Sequence, residues 1–275
     1  MINSTLRDNS ADFGGGISIR SLYGSASLTL TGSTISGNSG RAGGGGIYAI
    51  STSVALTGST VSGNSSSGSL ARGGGIRLRN GSASLINSTV TGNVTSGVGG
   101  GINFSNNNQP AANRLTIINS IFVGNSDSGA APDVRAFSDE LHELVVEHSL
   151  IGDTAASAIT ATTGTGNILN QPALLGPLAD NGGPTLTHAL LPGSVAIDAG
   201  NNALAVDDDN APLSTDQRGV GFDRVSGSSI DIGAFEVQDS TTAPPTIALA
   251  TANEGGVLAL AGAHDLRDDV FGSDF

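Results

Sequence analysis

The chain has 275 residues, 41 of them glycine, with no cysteine or tryptophan, few aromatics and a net charge of −13. This composition excludes a disulfide framework. It also excludes a membrane-spanning helix, since no stretch approaches the ~20 apolar residues required, and the basic residues, all arginine, lack the interleaved aromatics of a nucleic-acid binder.

The first ten residues, MINSTLRDNS, carry neither the basic nor the apolar region of a signal peptide and read as the end of a structural repeat. A larger solenoid is therefore expected upstream. A four-part pattern then recurs: a glycine run, an isoleucine, an alternating apolar stretch and a turn ending in Gly-Asn. The glycine element is Gly14-Gly15-Gly16-Ile17, then Gly44-Gly45-Gly46-Ile47, Gly73-Gly74-Gly75-Ile76 and Gly99-Gly100-Gly101-Ile102. The turn ends at Asn9, Asn38, Asn64, Asn93 and Asn125, spaced 29, 26, 29 and 32 residues apart. A period in that range means stacked supersecondary units and not one globular core.

Apolar residues fall at alternate positions, as in Ile17 and Ile19, Leu28 and Leu30, Val54 and Leu56, and Ile76 and Leu78. That is strand periodicity. Each strand meets its own residue type one repeat later, so it pairs in parallel and in register with the next copy. The fold class predicted is all-β, a parallel β-helix solenoid, with Ile17, Ile47, Ile76 and Ile102 in one interior column. Asparagine suits the corners because it tolerates the left-handed conformation and stacks through its amide.

From Phe13 to Ser126 there is no carboxylate, while Arg20, Arg41, Arg72, Arg77, Arg79 and Arg114 are spread along the repeats. A charge division along the solenoid axis follows, with the arginines as scattered, solvated side chains. The polar insert after Ile102, NFSNNNQPAANR, is expected to loop out, and the coils continue to residue 155. Residues 156–240 read as terminal coils or a cap that seals the end of the core. Residues 241–246, TTAPPT, read as a linker. Residues 247–275 resemble the start of an immunoglobulin-like or cadherin-like repeat, too short to close a sandwich. Further domains are thus expected at both ends.

The glycine run paired with a Gly-Asn corner, including Phe122-Val123-Gly124-Asn125, resembles bacterial right-handed β-helix repeat proteins, among them polymorphic outer-membrane proteins. The ordered strings LGPLADNGGPTLTHALLPGSVAIDAGN, DQRG and DIGAFE, from Leu175 to Glu236, are similar to the C-terminal region of secreted β-helix proteins with a choice-of-anchor Q domain. The resemblance implies a right-handed solenoid, an extracellular or cell-surface (bacterial outer-membrane-associated) location and a structural role for the terminal region.

β-Helices also include polysaccharide lyases and hydrolases, and glycoside hydrolysis uses two carboxylates about 5–10 Å apart. The carboxylate-free repeats offer little ionisable beyond arginine and Tyr23 or Tyr48. An enzyme would have to draw on Asp198, Asp216, Arg218 and Asp231, joined by Glu236. Arg218 is read instead as a tie between neighbouring carboxylates and backbone that stabilises the cap. His188, alone among apolar residues, reads as a packing residue. For a metal the candidates are Asp207, Asp208 and Asp209, hard oxygen donors suited to calcium. No other cofactor is indicated. The function expected is a noncatalytic surface module for adhesion, display or carbohydrate binding, its partner a polysaccharide or host-surface ligand. The alternatives are a carbohydrate-active enzyme and a passive stalk.

Overall fold

The fold is that of a computed structural model describing residues 1–238 apart from 23–25, 106–112, 129–132, 137–141, 156 and 161–162. Tyr23, most of the polar insert, the 241–246 linker and the 247–275 segment lie outside the described residues. The chain winds a parallel β-solenoid of about four turns. Each turn crosses four sheets in a fixed order. Sheet 1 stacks seven strands, Thr5–Arg7, Thr34–Ser36, Thr60–Ser62, Thr89–Thr91, Ile121–Val123, Leu150–Ile151 and Ile168–Leu169. Sheet 2 stacks Ser10–Ala11, Ser39–Gly40, Ser65–Ser66 and Val94–Thr95. Sheet 3 stacks Ile17–Arg20, Ile47–Ile50, Ile76–Arg79, Ile102–Ser105 and Val134–Arg135. Sheet 4 stacks Ala26–Thr31, Thr52–Thr57, Ser82–Ile86, Asn113–Ile118 and His142–Glu147.

Every interstrand pairing in these sheets is parallel and joins equivalent repeat positions, so like residues form columns. Ile17, Ile47, Ile76 and Ile102 lie in one register row, continued by Val134. Ile47, Ile76 and Ile102 are fully buried, and Ile17, on the outermost turn, is partly buried against the same core. The column is the one expected from the repeat. It meets Leu30, Leu56, Leu85 and Ile117 from sheet 4 and Ile35, Val61, Val90 and Phe122 from sheet 1. The glycine runs are needed where the backbone turns into sheet 3. Gly44 has φ of 60°, and a Cβ on Gly45 would sit 2.3 Å from the Gly74 carbonyl oxygen of the next turn, closer than any real contact.

Two polar ladders close the corners. Asn9, Asn38, Asn64, Asn93 and Asn125 each pass an amide hydrogen to the Oδ1 of the next member at 2.7–3.0 Å, the last to Asp133. Each Oδ1 also accepts the backbone amide of the ladder residue before it. The left-handed residue at this corner is the preceding glycine, such as Gly37 and Gly63, and not the asparagine as expected; asparagine takes that conformation at the other corner, as in Asn3, Asn87 and Asn119. There the following serines, Ser4, Ser33, Ser59, Ser88, Ser120 and Ser149, form a second ladder. The amides of the first five donate to the next serine Oγ at 3.0–3.2 Å, and that of Ser149 to Asn167 Oδ1 at 3.0 Å.

Asp133 ends the asparagine ladder with a buried carboxylate that also accepts the Asp153 amide at 2.7 Å. Burial pushes it up to about 6, against the hydrogen bonds that pull it down. A folded-state value above the unfolded 3.8 means that its stabilising contribution is full below about pH 4 and is lost as pH rises through about 6. The shift of about two units corresponds to ~3 kcal/mol. Thermal melts from pH 4 to 8 are therefore expected to show a decline that Asp133→Asn flattens. An unchanged slope in that variant would assign the decline elsewhere.

The terminal region begins at the end of the coil, where Ile159 is buried in the main core. One strand, Ile168–Leu169, stacks on sheet 1. The chain then leaves the coil and runs back along the outside of sheet 1 to the first turns. Thr34 donates to the Leu186 carbonyl at 2.7 Å and Thr60 to Gln217 Oε1 at 2.6 Å. Further along, the Ala234 amide donates to Thr89 Oγ1 at 3.1 Å and the Gly233 amide to the Asn119 carbonyl at 2.8 Å. A second apolar cluster, Ile121, Leu150, Ala173, Leu190, Ala196 and Ile232, lies under this flank. The reason is that the outward positions of sheet 1 include Ile121 and Leu150, which need cover. The acidic terminal region thus lies along sheet 1 back to the first turns and not beyond the end of the coil, so the charge division expected along the axis is not found.

Candidate functional site

The terminal-region residues singled out in the sequence form a buried network. Asp216 accepts from Arg218 Nε at 2.9 Å and from its second guanidinium nitrogen at 2.6 Å, and also from the amides of Arg218 at 2.7 Å and Glu236 at 2.9 Å. The Arg218 guanidinium is sandwiched between Phe222 and Phe235, 3.9 and 3.8 Å from the two ring centroids. Arg224, 1% exposed, donates to the carbonyls of Gly233 and Asp231 and to the Glu236 carboxylate. Asp231 accepts the Val237 amide at 2.6 Å and the Asp198 amide at 2.8 Å.

Burial raises Asp231, and it raises Glu236 to about 7 although the Arg224 charge opposes it. A general base needs an accessible lone pair facing its substrate. The Asp216 oxygens instead face Arg218 and two amides, and Asp198, at φ 54°, contributes its backbone and not its carboxylate to the network. What this geometry does chemically is clamp three chain segments together. His188 also ties the flank to the coils: its ring nitrogens bond Ser62 Oγ and the Gly176 carbonyl, both at 2.8 Å, and burial lowers its pKa.

Asp207, Asp208 and Asp209 are not brought together as a ligand set. The Asp207 carboxylate accepts the amides of Asp209 and Ala211 at 2.9 and 2.8 Å, folding the loop on itself. Among the described residues no three acidic, histidine or cysteine side chains converge as a metal site would require.

Asp208 instead overhangs a groove on the outer face of sheet 4, a trough of about 360 Å³. Its floor consists of two in-register columns. Ser27, Ser53 and Ser82 form one, continued by Arg114, whose amide donates to Ser82 Oγ. Thr29, Ala55, Ser84 and Thr116 form the other. Arg114 is steered along the floor by Thr116 Oγ1 at 3.1 Å and Glu143 at 3.5 Å. The lining includes one carboxylate, Asp208, and one cation, Arg114, with Glu143 next in register beyond Arg114 and paired to it.

Neither the groove nor the serine ladder was singled out from the sequence. The ladder was detectable in the recurring triplets Asn3-Ser4-Thr5, Gly32-Ser33-Thr34, Gly58-Ser59-Thr60 and Asn87-Ser88-Thr89. The groove was not, because its wall comes from a loop about 90 residues or more from its floor. No protein-family model matches the chain, and no curated protein matches it.

Proposed function

We propose that the protein is a noncatalytic extracellular or cell-surface β-helix module of the adhesion and display kind its repeats resemble, and that it binds carbohydrate in the groove over sheet 4. The observation that carries this reading is the groove floor, where serine and threonine hydroxyls recur at the strand spacing of about 4.8 Å. Hydroxyls both donate and accept, which suits an extended polymer of sugars. The small side chains Ser53, Ala55 and Ser84 leave the floor flat enough for rings to lie on.

Turnover is the less supported reading. Hydrolysis calls for paired carboxylates, whereas the groove lining has one, Glu143 at its end is paired with Arg114, and the acids of the terminal network are engaged by arginine and backbone amides. A panel of polysaccharides scored for binding and for new reducing or unsaturated ends separates the two. Binding without new ends is expected. Ala55→Arg, which fills the centre of the floor, should weaken binding about tenfold or more, ~1.4 kcal/mol, at an unchanged melting temperature. Release of new ends that disappears in Asp216→Asn would replace binding with catalysis.

A further inference from the structure

Four of the six arginines of the repeats gather on one face. Arg20 and Arg79 occupy one outward register row of sheet 3, with Ile50 between them, and Arg77 occupies the neighbouring row between Tyr48 and Asn103. Arg72 lies close by, in the glycine run leading into the Arg77 strand, near enough for its like charge, with that of Arg79, to oppose the Arg77 charge already disfavoured by burial. Arg77 lies over the Tyr48 ring at 5.4 Å and donates to the carbonyls of Ala42 and Leu70. No carboxylate pairs with Arg20, Arg72, Arg77 or Arg79 among the described residues. Arg41, by contrast, is held by Asp12 at 2.7 Å. Among the described residues the Nε atoms of Arg77 and Arg79 have no hydrogen-bond partner, nor has the recessed Oδ1 of Asn103 beside Arg77.

We propose that this face of sheet 3 is a second binding surface, distinct from the groove, that takes an acidic polysaccharide through Arg20, Arg79 and Arg72, with Tyr48 and Arg77 as its rigid centre. Four like charges on one face, with no ion-pair partner among the described residues, raise one another's cost, and an anionic ligand relieves it. Guanidinium groups pair with carboxylates through two parallel hydrogen bonds. Along the row the charges recur every second turn, roughly 9–10 Å apart at the strand spacing, separated by a neutral residue. That suits a polymer bearing one carboxylate per sugar or per disaccharide. It does not suit duplex DNA, with a charge per ~1.7 Å of axis, most of which would stay unneutralised. The net charge of −13 does not forbid such a ligand, because among the described residues no carboxylate pairs with these four arginines, and exposed charges are screened beyond about 8 Å at physiological salt.

The test is surface plasmon resonance on the immobilised protein with three probes: polygalacturonate, fully methyl-esterified polygalacturonate and single-stranded DNA of matched length. Salt-sensitive binding of polygalacturonate is expected, with the ester and the DNA at least about tenfold weaker. The double variant Arg20→Gln/Arg79→Gln should lose about tenfold or more in affinity and flatten the salt dependence, at an unchanged melting temperature. Arg41→Gln, whose charge is already paired, should bind as the parent does. So should Ala55→Arg, which separates this surface from the groove: failure of the groove assignment leaves this result standing. No polygalacturonate binding at low salt, equal binding of the ester, tighter binding of DNA, or an unaffected double variant would each overturn the proposal.

Discussion

Replacing Ile47 by aspartate is expected to destabilise the protein by on the order of 5 kcal/mol, enough to unfold most domains at ambient temperature. Ile47 is fully buried in the middle of the interior column, in register with Ile17 on one side and Ile76 on the other. A carboxylate there would find no donor, because the side chains around it are aliphatic. In a solenoid each turn is stabilised by its neighbours, so a defect in a middle turn severs the stack where one in the outermost turn only frays it. Ile17→Asp, at the partly buried end, should therefore cost distinctly less than Ile47→Asp. Chemical denaturation of both variants measures the difference, and equal costs would mean that the column does not carry the cooperativity.

Arg224→Ala is expected to have the next largest effect, about 3–5 kcal/mol, but confined to a different part of the molecule. The deletion leaves the fully buried Glu236 carboxylate with only the amides of Asp231 and Ser226, and frees the carbonyls of Gly233 and Asp231. The flank should loosen while the coils persist, since the interior columns of sheets 3 and 4 do not depend on it. Hydrogen exchange should show lost protection across residues 214–237 and retained protection in the coils. Without Arg224, burial raises Glu236 further, so the loss should be smaller near pH 5, where the carboxyl takes up a proton, than at pH 8. Arg224→Met combined with Glu236→Gln should recover part of the loss, because no uncompensated charge is left buried. Unchanged exchange in Arg224→Ala would mean that the pair does not hold the flank down.

Both expectations bear on function. The groove wall at Asp208 belongs to the flank, whereas its floor belongs to sheet 4. Arg224→Ala should accordingly weaken groove binding, while the arginine face of sheet 3, built wholly on the coils, should not notice it.

What the sequence determined by itself is the solenoid and its interior. Alternation within a strand sets which residues point inward, and the repeat length sets which residue stacks on which, so the Ile17 to Ile102 column and the Asn9 to Asn125 ladder were legible from spacing alone. Both rest on contacts between equivalent positions of adjacent repeats. The buried carboxylates and arginines of the terminal region were legible as a group, because Asp216, Arg218, Arg224 and Glu236 lie within about twenty residues. Only the tertiary structure decided where that group lies. Nothing periodic links Gln217 to Thr60 or Asn201 to Asn119, which bond through their amide side chains and backbone. The choice between sealing the end of the coil and covering sheet 1 turns on the outward-facing apolar side chains Ile121 and Leu150, buried only by the flank. The arginine face escaped the sequence for a related reason. Arg20, Arg77 and Arg79 look scattered along the chain, and they gather because the winding of the coil returns each strand of sheet 3 to the same side.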